Sequence, residues 1–100
     1  MSSNSNGDTN KKVQLILPTD KTLQDATKLS LRSSKPICFY FYIDSLKQKC
    51  SIVSDGEDRV LYKNSDEHTS PITNTYLSGN CYIIITENTI YIVNKDICIK

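Results

Sequence analysis

The strongest apolar pattern of the chain lies in residues 81–93, where isoleucine, valine, tyrosine and threonine dominate. β-Branched and aromatic side chains favour strands because they pack well on a pleated surface. A two-residue turn at Glu87 and Asn88 places Ile85 opposite Ile90 in a hairpin. One face then carries Ile83, Ile85, Ile90 and Ile92, and the other carries Tyr82, Ile84, Tyr91 and Val93. Since both faces are apolar, we expect both to be covered and the hairpin to lie mid-fold.

A thin apolar stripe at helical spacing predicts one helix in the N-terminal third. Thr22 and Asp25 have the spacing of a capping pair, and Asp20 is an alternative cap. Residues 33–36 end the helix, because the residue before Pro36 avoids the helical conformation. We expect this helix to cover one face of the sheet. Its stripe consists of Leu23, Ala26, Thr27 and Ser30, with Leu29 or Leu31.

The other apolar runs predict short strands, with turn signals about every ten residues. Asp55-Gly56 and Gly79-Asn80 are the clearest hairpin turns, since glycine accepts the positive φ that tight turns require. Residues 44–49 and 64–70 are polar and predict connections. The predicted strands cover residues 13–17, 37–43, 50–54, 58–63 and 72–78, with a terminal edge strand over residues 97–99.

Together these elements predict an α+β fold. One N-terminal helix packs on a curved, mainly antiparallel sheet or small barrel of six to eight short strands. Residues 1–12 carry no apolar side chain after Met1 and predict a disordered tail. Residues 13–100 then form a single domain.

Charge, hydropathy and cysteine content argue against several classes of function and location. The net charge of +1 argues against a surface that tracks nucleic-acid phosphates. No apolar run approaches the roughly 20 residues of a membrane helix. Without a signal peptide, we expect a cytoplasmic, reducing location and no membrane partner. The four cysteines then act as reduced, small, buried hydrophobic residues.

No catalytic constellation is recognisable. His68 is the only histidine, and Asp66, Glu67 and the nearby serines share its loop. A Ser/His/Asp site needs residues from separate segments, which adjacency in one loop does not supply. The three glycines form no phosphate-binding loop. We therefore expect no catalytic residues, no cofactor and no metal site.

Four tyrosines form the candidate interaction face. Tyr40 and Tyr42 alternate along the strand predicted over residues 37–43, and Tyr82 and Tyr91 share one face of the central hairpin. Such a face binds a protein partner or a second copy, or it stacks the bases of a single-stranded nucleic acid. A third interpretation is an ordinary second core face, half covered by the helix or by another subunit.

Residues 35–37, 44–46, 66–72 and 82–91 resemble phrases in small uncharacterised proteins of amoeba-infecting giant DNA viruses, the mimivirus relatives. The resemblance covers residues 13–99. It implies a viral protein that acts in the infected host cytoplasm or in the particle, and it transfers no functional residues.

These observations favour a non-enzymatic structural or protein-interaction module, viral and self-associating. The alternative is single-stranded nucleic-acid binding through the tyrosines, which a basic patch beside them would favour. An enzyme of unrecognised chemistry is the third hypothesis. A closed polar pocket around Asp66, Glu67 and His68 would favour it.

Overall fold

The computed structural model describes residues 15–100, and these form an α+β fold in which the long helix precedes the strands. The helices are α1 (Asp20–Ser33) and α2 (Tyr42–Leu46). The strands are β1 (Ile37–Cys38), β2 (Ser51–Asp55), β3 (Asp58–Asn64), β4 (Glu67–His68), β5 (Ile72–Ser78), β6 (Cys81–Thr86), β7 (Ile90–Asn94) and β8 (Cys98–Ile99). The α+β class and the N-terminal helix are confirmed.

Some of the N-terminal predictions concern residues before residue 15, where the described part of the chain begins. The tail over residues 1–12 and the first two residues of the strand predicted over residues 13–17 lie outside the described residues. Residues 15–17 are described and contain no strand, so that part of the prediction is wrong. Their leucine and isoleucine side chains are exposed, and no described strand pairs with this segment to bury them.

The central hairpin has the predicted register. In β6 and β7, Ile85 pairs with Ile90, Ile84 with Tyr91 and Ile83 with Ile92. The backbone N–H of Thr86 donates to the carbonyl oxygen of Thr89 at 2.9 Å and closes the turn. Because the register follows from the turn position, the two apolar faces also lie as predicted.

The strands form two four-stranded sheets, so the prediction of one curved sheet or small barrel is wrong. The first sheet has the order β1-β7-β6-β5, and the second has the order β4-β3-β2-β8. Each sheet joins antiparallel hairpins to one parallel edge strand, β1 beside β7 and β8 beside β2. Two sheets form because the central hairpin is apolar on both faces, and one helix layer covers only one of them.

Two cores lie on opposite faces of the first sheet. The helix-side core contains Ala26 of α1, Tyr42 of α2, and Cys81, Ile83, Ile85, Ile90 and Ile92 of the hairpin. The inter-sheet core contains Phe41, Cys50, Ile52, Leu61, Ile84, Val93 and Ile97. The layers therefore run helix, sheet, sheet, and this explains why the four successive residues 83–86 of β6 are all buried.

The N-cap of helix α1 is Thr19, one residue before the predicted alternative Asp20 and three before Thr22. The hydroxyl oxygen of Thr19 accepts from the backbone N–H of Thr22. The helix ends at Ser33, as predicted, with Ser34 in the left-handed conformation. Thr22 and Ala26 are the buried members, and Leu29 is half-buried. Leu31 lies on the far side, 78% exposed, so the stripe is polar at its start and narrower than predicted.

The strand predicted over residues 37–43 is largely wrong. Only Ile37–Cys38 is a strand, and the chain then turns, with the N–H of Tyr42 donating to the carbonyl oxygen of Phe39 at 2.9 Å. Helix α2 follows, and the side chain of its buried Ser45 accepts from the N–H of Asn94 at 2.9 Å. This bond satisfies a backbone N–H on the edge of β7, where a longer β1 would otherwise pair.

The remaining hairpins follow the prediction more closely. Strand β5 has the predicted bounds, and β2 and β3 form the predicted antiparallel hairpin, with Gly56 at a φ of +67°. The predicted loop over residues 64–70 contains β4, which pairs with β3. The terminal edge strand exists as β8, while Ile97 is buried in the inter-sheet core.

Candidate protein-interaction site

Of the four tyrosines predicted to form one face, only Tyr82 and Tyr91 lie on the same face in the structure. Tyr42 lies in α2 within the helix-side core, and its hydroxyl donates to the carbonyl oxygen of Ile16. Tyr82 and Tyr91 are half-buried against the inter-sheet core. Tyr40 is 58% exposed. The separation follows from the turn at residues 39–41, which ends the alternation on which the prediction depended. An interaction role for single tyrosines stays a prediction.

The two half-buried tyrosines pack as core residues. The rings of Tyr91 and Phe41 lie 5.5 Å apart in an edge-to-face arrangement. Tyr82 contributes to a cleft of about 480 Å³ between the sheets, beside Glu57, Asp58 and Arg59. The two carboxylates outnumber the single cation there, so this cleft is no basic groove for nucleic-acid bases.

A polar cluster surrounds Tyr40. Its hydroxyl donates to Glu67, and Lys63 Nζ lies 3.3 Å from Asp44 Oδ2 and 3.7 Å from Glu67 Oε1. The hydrogen bond from Tyr40 holds the pKa of Glu67 below its usual value, and the same bond raises the pKa of Tyr40. The hydrogen bond with Asp44 raises the pKa of Lys63. These shifts follow from mutual pairing and leave the charges stabilised as ions.

His68, one of the three residues predicted to mark an unrecognised enzyme, lines an open cleft of about 300 Å³ beside Ser54, Asp55 and Ser65. His68 stacks on the ring of Tyr62 with the centroids 6.1 Å apart. Asp66 and His68 are exposed, and the Glu67 carboxylate is held by Tyr40 and Asn64. The imidazole contacts the carbonyl oxygen of Thr69 at 3.4 Å, and among the described residues it makes no hydrogen bond to Ser54 or Ser65. This geometry does not fit the base-and-nucleophile arrangement of acyl-transfer enzymes.

Strand β5 is the feature that the sequence did not single out. It forms one edge of the first sheet, and five successive residues, 73–77, are exposed. All seven residues of β5 are uncharged. Proteins usually protect such edges with charges, prolines, bulges or short strands. Here one bulge interrupts the pairing between Ile72 and Asn74, and the rest of the edge is open.

The hydrogen-bonding groups of Thr75 and Leu77 point to this open edge. In an antiparallel ladder, the backbone groups of successive residues alternate between the two sides of a strand. The N–H of Ile90 donates away from β6, to the carbonyl oxygen of Pro36 at 2.9 Å. Its partner Ile85 therefore bonds to β5, and so does Ile83 two residues along. The β5 residues between their partners, Thr75 and Leu77, are left with outward-facing groups.

The opposite edge of the same sheet is occupied. Strand β1 covers β7 at Ile90 and Tyr91, and Ser45 accepts from Asn94 further along. In the second sheet both edge strands, β4 and β8, have two residues each. Among the described strands, β5 is therefore the only long edge with free backbone groups.

Hydrogen bonds hold the C-terminal end of β5 against the N-terminus of α1. Thr22 Oγ1 donates to the carbonyl oxygen of Ser78 at 2.5 Å, and Ser78 Oγ donates to Asp25 Oδ2 at 2.7 Å. The bond from Ser78, followed by the one from Lys21, lowers the pKa of Asp25. The edge is thus fixed by a buried polar contact to the helix, and a fixed edge loses little entropy when another strand pairs with it.

A groove of about 360 Å³ lies between α1 and β5. Lys28, Leu29 and Arg32 form the helix wall, and Tyr76 and Ile83 lie on the sheet side. A strand added to β5 would place alternate side chains over this groove. Sequence reasoning could find β5 as a strand, but its edge position depends on strand order, which local patterns do not carry.

The described residues contain neither a membrane-spanning helix nor a cluster of metal ligands, and their four cysteines differ in burial. No helix in residues 15–100 is long and apolar enough to cross a membrane. Within the same part of the chain, no three His, Cys, Asp or Glu side chains are grouped to hold a metal ion. Cys50 and Cys81 are buried, while Cys38 is half-buried and Cys98 is exposed.

Comparison with known proteins identifies no relative: no family model, curated protein or solved structure matches this sequence.

Proposed function

We propose that this chain is a non-enzymatic protein-interaction module that binds an extended polypeptide segment by strand addition at β5. The observation that carries this proposal is the open, uncharged edge of β5, with the backbone groups of Thr75 and Leu77 directed outward. In strand addition, main-chain hydrogen bonds supply affinity and alternate side chains supply specificity. The added strand comes from a protein partner or from a second copy of the chain.

The tyrosines do not favour nucleic-acid binding. Only Tyr82 and Tyr91 share a face, and the ion pairs at Lys63 already use the cation beside Tyr40. The resemblance to giant-virus proteins adds the proposal that the partner is met in the infected host cytoplasm or in the particle.

The test compares two substitutions at one position. Thr75→Pro removes an outward N–H that the internal ladder does not use, and proline is tolerated at such edge positions. Thr75→Val keeps that N–H and the shape of the side chain. A random peptide library displayed on phage is selected against the wild-type protein, and the selected peptides are titrated against both variants.

We expect peptides that bind the wild type and Thr75→Val alike. The proline variant should bind them about tenfold more weakly, because it loses a backbone hydrogen bond and its ring crowds the edge. Thermal unfolding of each variant checks that the fold persists. Selected peptides that tolerate Thr75→Pro would overturn the proposal. A labelled single-stranded oligonucleotide is titrated in parallel, and tight binding to it would favour the alternative function.

A further inference from the structure

The groove beside β5 presents positive charge. Lys28 and Arg32 stand one helical turn apart on its helix wall. Within residues 15–100, neither forms an ion pair with a carboxylate. The one acid of the groove, Asp25, already accepts from Lys21 and Ser78. The groove therefore has two cations that form no ion pair within the described part of the chain, against one acid, Asp25, which is paired with Lys21 and also attracts Lys28.

Two apolar side chains of the groove are only partly covered. Leu29 is half-buried and Tyr76 is 44% exposed, while Ile83 beneath them is fully buried. An apolar side chain placed between Leu29 and Tyr76 would remove apolar surface of both from water, which is favourable at about 25 cal/mol per Å².

Resting on the proposed strand addition, we propose that the bound segment carries an apolar side chain and a carboxylate two residues apart. A strand paired with β5 directs every second side chain towards α1. The apolar residue lies over Leu29 and Tyr76, and the carboxylate lies against Lys28 and Arg32. The partner is thus an extended acidic segment of a protein, read by its backbone, by one apolar side chain and by one acidic side chain.

The sequences of the peptides selected on the wild-type protein provide the first measurement. We expect Asp or Glu to be enriched two positions from an apolar residue. A representative peptide is then compared with its matched Glu→Gln or Asp→Asn form. The charged form should bind about three- to tenfold more tightly, since partly exposed ion pairs have modest energies. The difference should shrink at high salt.

The second measurement uses variants of equal net charge. Lys28→Gln with Arg32→Gln removes both cations of the groove, and Lys47→Gln with Lys49→Gln removes two exposed cations after α2. We expect only the groove variant to weaken the acidic peptide, by the same three- to tenfold, and to leave its Gln form unaffected. Equal losses in both double variants would point to long-range attraction and overturn the proposed contact.

The remaining outcomes separate this inference from the proposed function. Peptides that depend on the N–H of Thr75 but show no acidic preference overturn the inference and leave strand addition standing. An absence of Thr75-dependent peptides, together with a protein dimer that Thr75→Pro dissolves in sedimentation, makes a second copy the occupant and also overturns it. If neither peptides nor a dimer depend on Thr75, both proposals fail.

Discussion

Gly79 lies so close to Thr19 that a Cβ atom added at Gly79 would stand 2.0 Å from Thr19 Oγ1. The same atom would meet Thr22 Oγ1 at 2.7 Å. The glycine of the β5–β6 turn therefore serves two purposes. It adopts a φ of +59°, and it leaves room for the hydroxyls at the start of α1.

A comparison of two glycine substitutions tests this close approach. Both Gly79→Ala and Gly56→Ala place a side chain at positive φ, which costs about 1 kcal/mol. Only the first also displaces Thr19 and Thr22, because nothing lies within 4 Å of a Cβ at Gly56. We expect Gly79→Ala to cost clearly more unfolding free energy in chemical denaturation. Equal losses would show that the helix moves aside freely.

Truncation of a hairpin isoleucine tests the helix-side core. Ile83 is fully buried, so Ile83→Ala should lower the unfolding free energy by about 2–5 kcal/mol. Leu31→Ala removes three carbon atoms from an exposed helix position and serves as the control, with an expected change within about 0.5 kcal/mol. A small loss at Ile83 would mean that the α1 layer does not pack on the hairpin in solution.

The stability of the fold should fall at alkaline pH because of Tyr42. Burial raises its pKa from 10.0 to about 12. A group whose pKa is raised by folding stabilises the fold fully below the pKa of the unfolded state. That stabilisation is lost as pH rises through the pKa of the folded state. Unfolding free energy should therefore decline between pH 10 and 12, and more gently in Tyr42→Phe. Buried Cys50, with its pKa also raised to about 12, contributes to the decline that remains in the variant.

The Asp25 carboxylate should report the contact between α1 and β5 at acidic pH. Its pKa is lowered mainly by the hydrogen bond from Ser78 and then by Lys21. A carboxylate whose pKa is lowered by folding stabilises the fold fully above the pKa of the unfolded state. That stabilisation is lost as pH falls through the pKa of the folded state. In an NMR titration, Ser78→Ala and Lys21→Met should each raise the pKa of Asp25. An unchanged pKa in Ser78→Ala would show that β5 does not hold this carboxylate in solution.

Alkylation of the native protein should distinguish the four thiols. Cys98 is exposed and should react first, followed by half-buried Cys38. Burial raises the pKa values of Cys50 and Cys81, and the thiolate is the reactive form. Those two should become modified only at the rate of unfolding. Mass spectrometry of timed samples gives the order, and early modification of Cys50 would contradict the inter-sheet core.

The central hairpin could be predicted because its register depends on residues close together in the chain. The turn between Thr86 and Thr89 fixes which isoleucines pair, and alternation then fixes their faces. Strand β5 and the hairpin at Gly56 could be predicted for the same reason.

The segment from Ile37 to Leu46 could not be predicted in this way. Its alternation fits a strand, yet α2 gains the burial of Tyr42 and the bond between Ser45 and Asn94. Both gains come from partners about fifty residues away, which local pattern does not reveal. Tyr40 and Tyr42 left the predicted tyrosine face with this strand. The open edge of β5 could not be predicted, because strand order is set by the same distant contacts.

The hydroxyl of Ser45 also bears on the size of any assembly. By accepting from Asn94, it joins β1 in closing the far side of the first sheet. The first sheet then offers one edge per chain for strand addition. Complexes formed at β5 should therefore contain one bound segment per chain, or two copies related by a twofold axis, and growth into a filament ends at that first step.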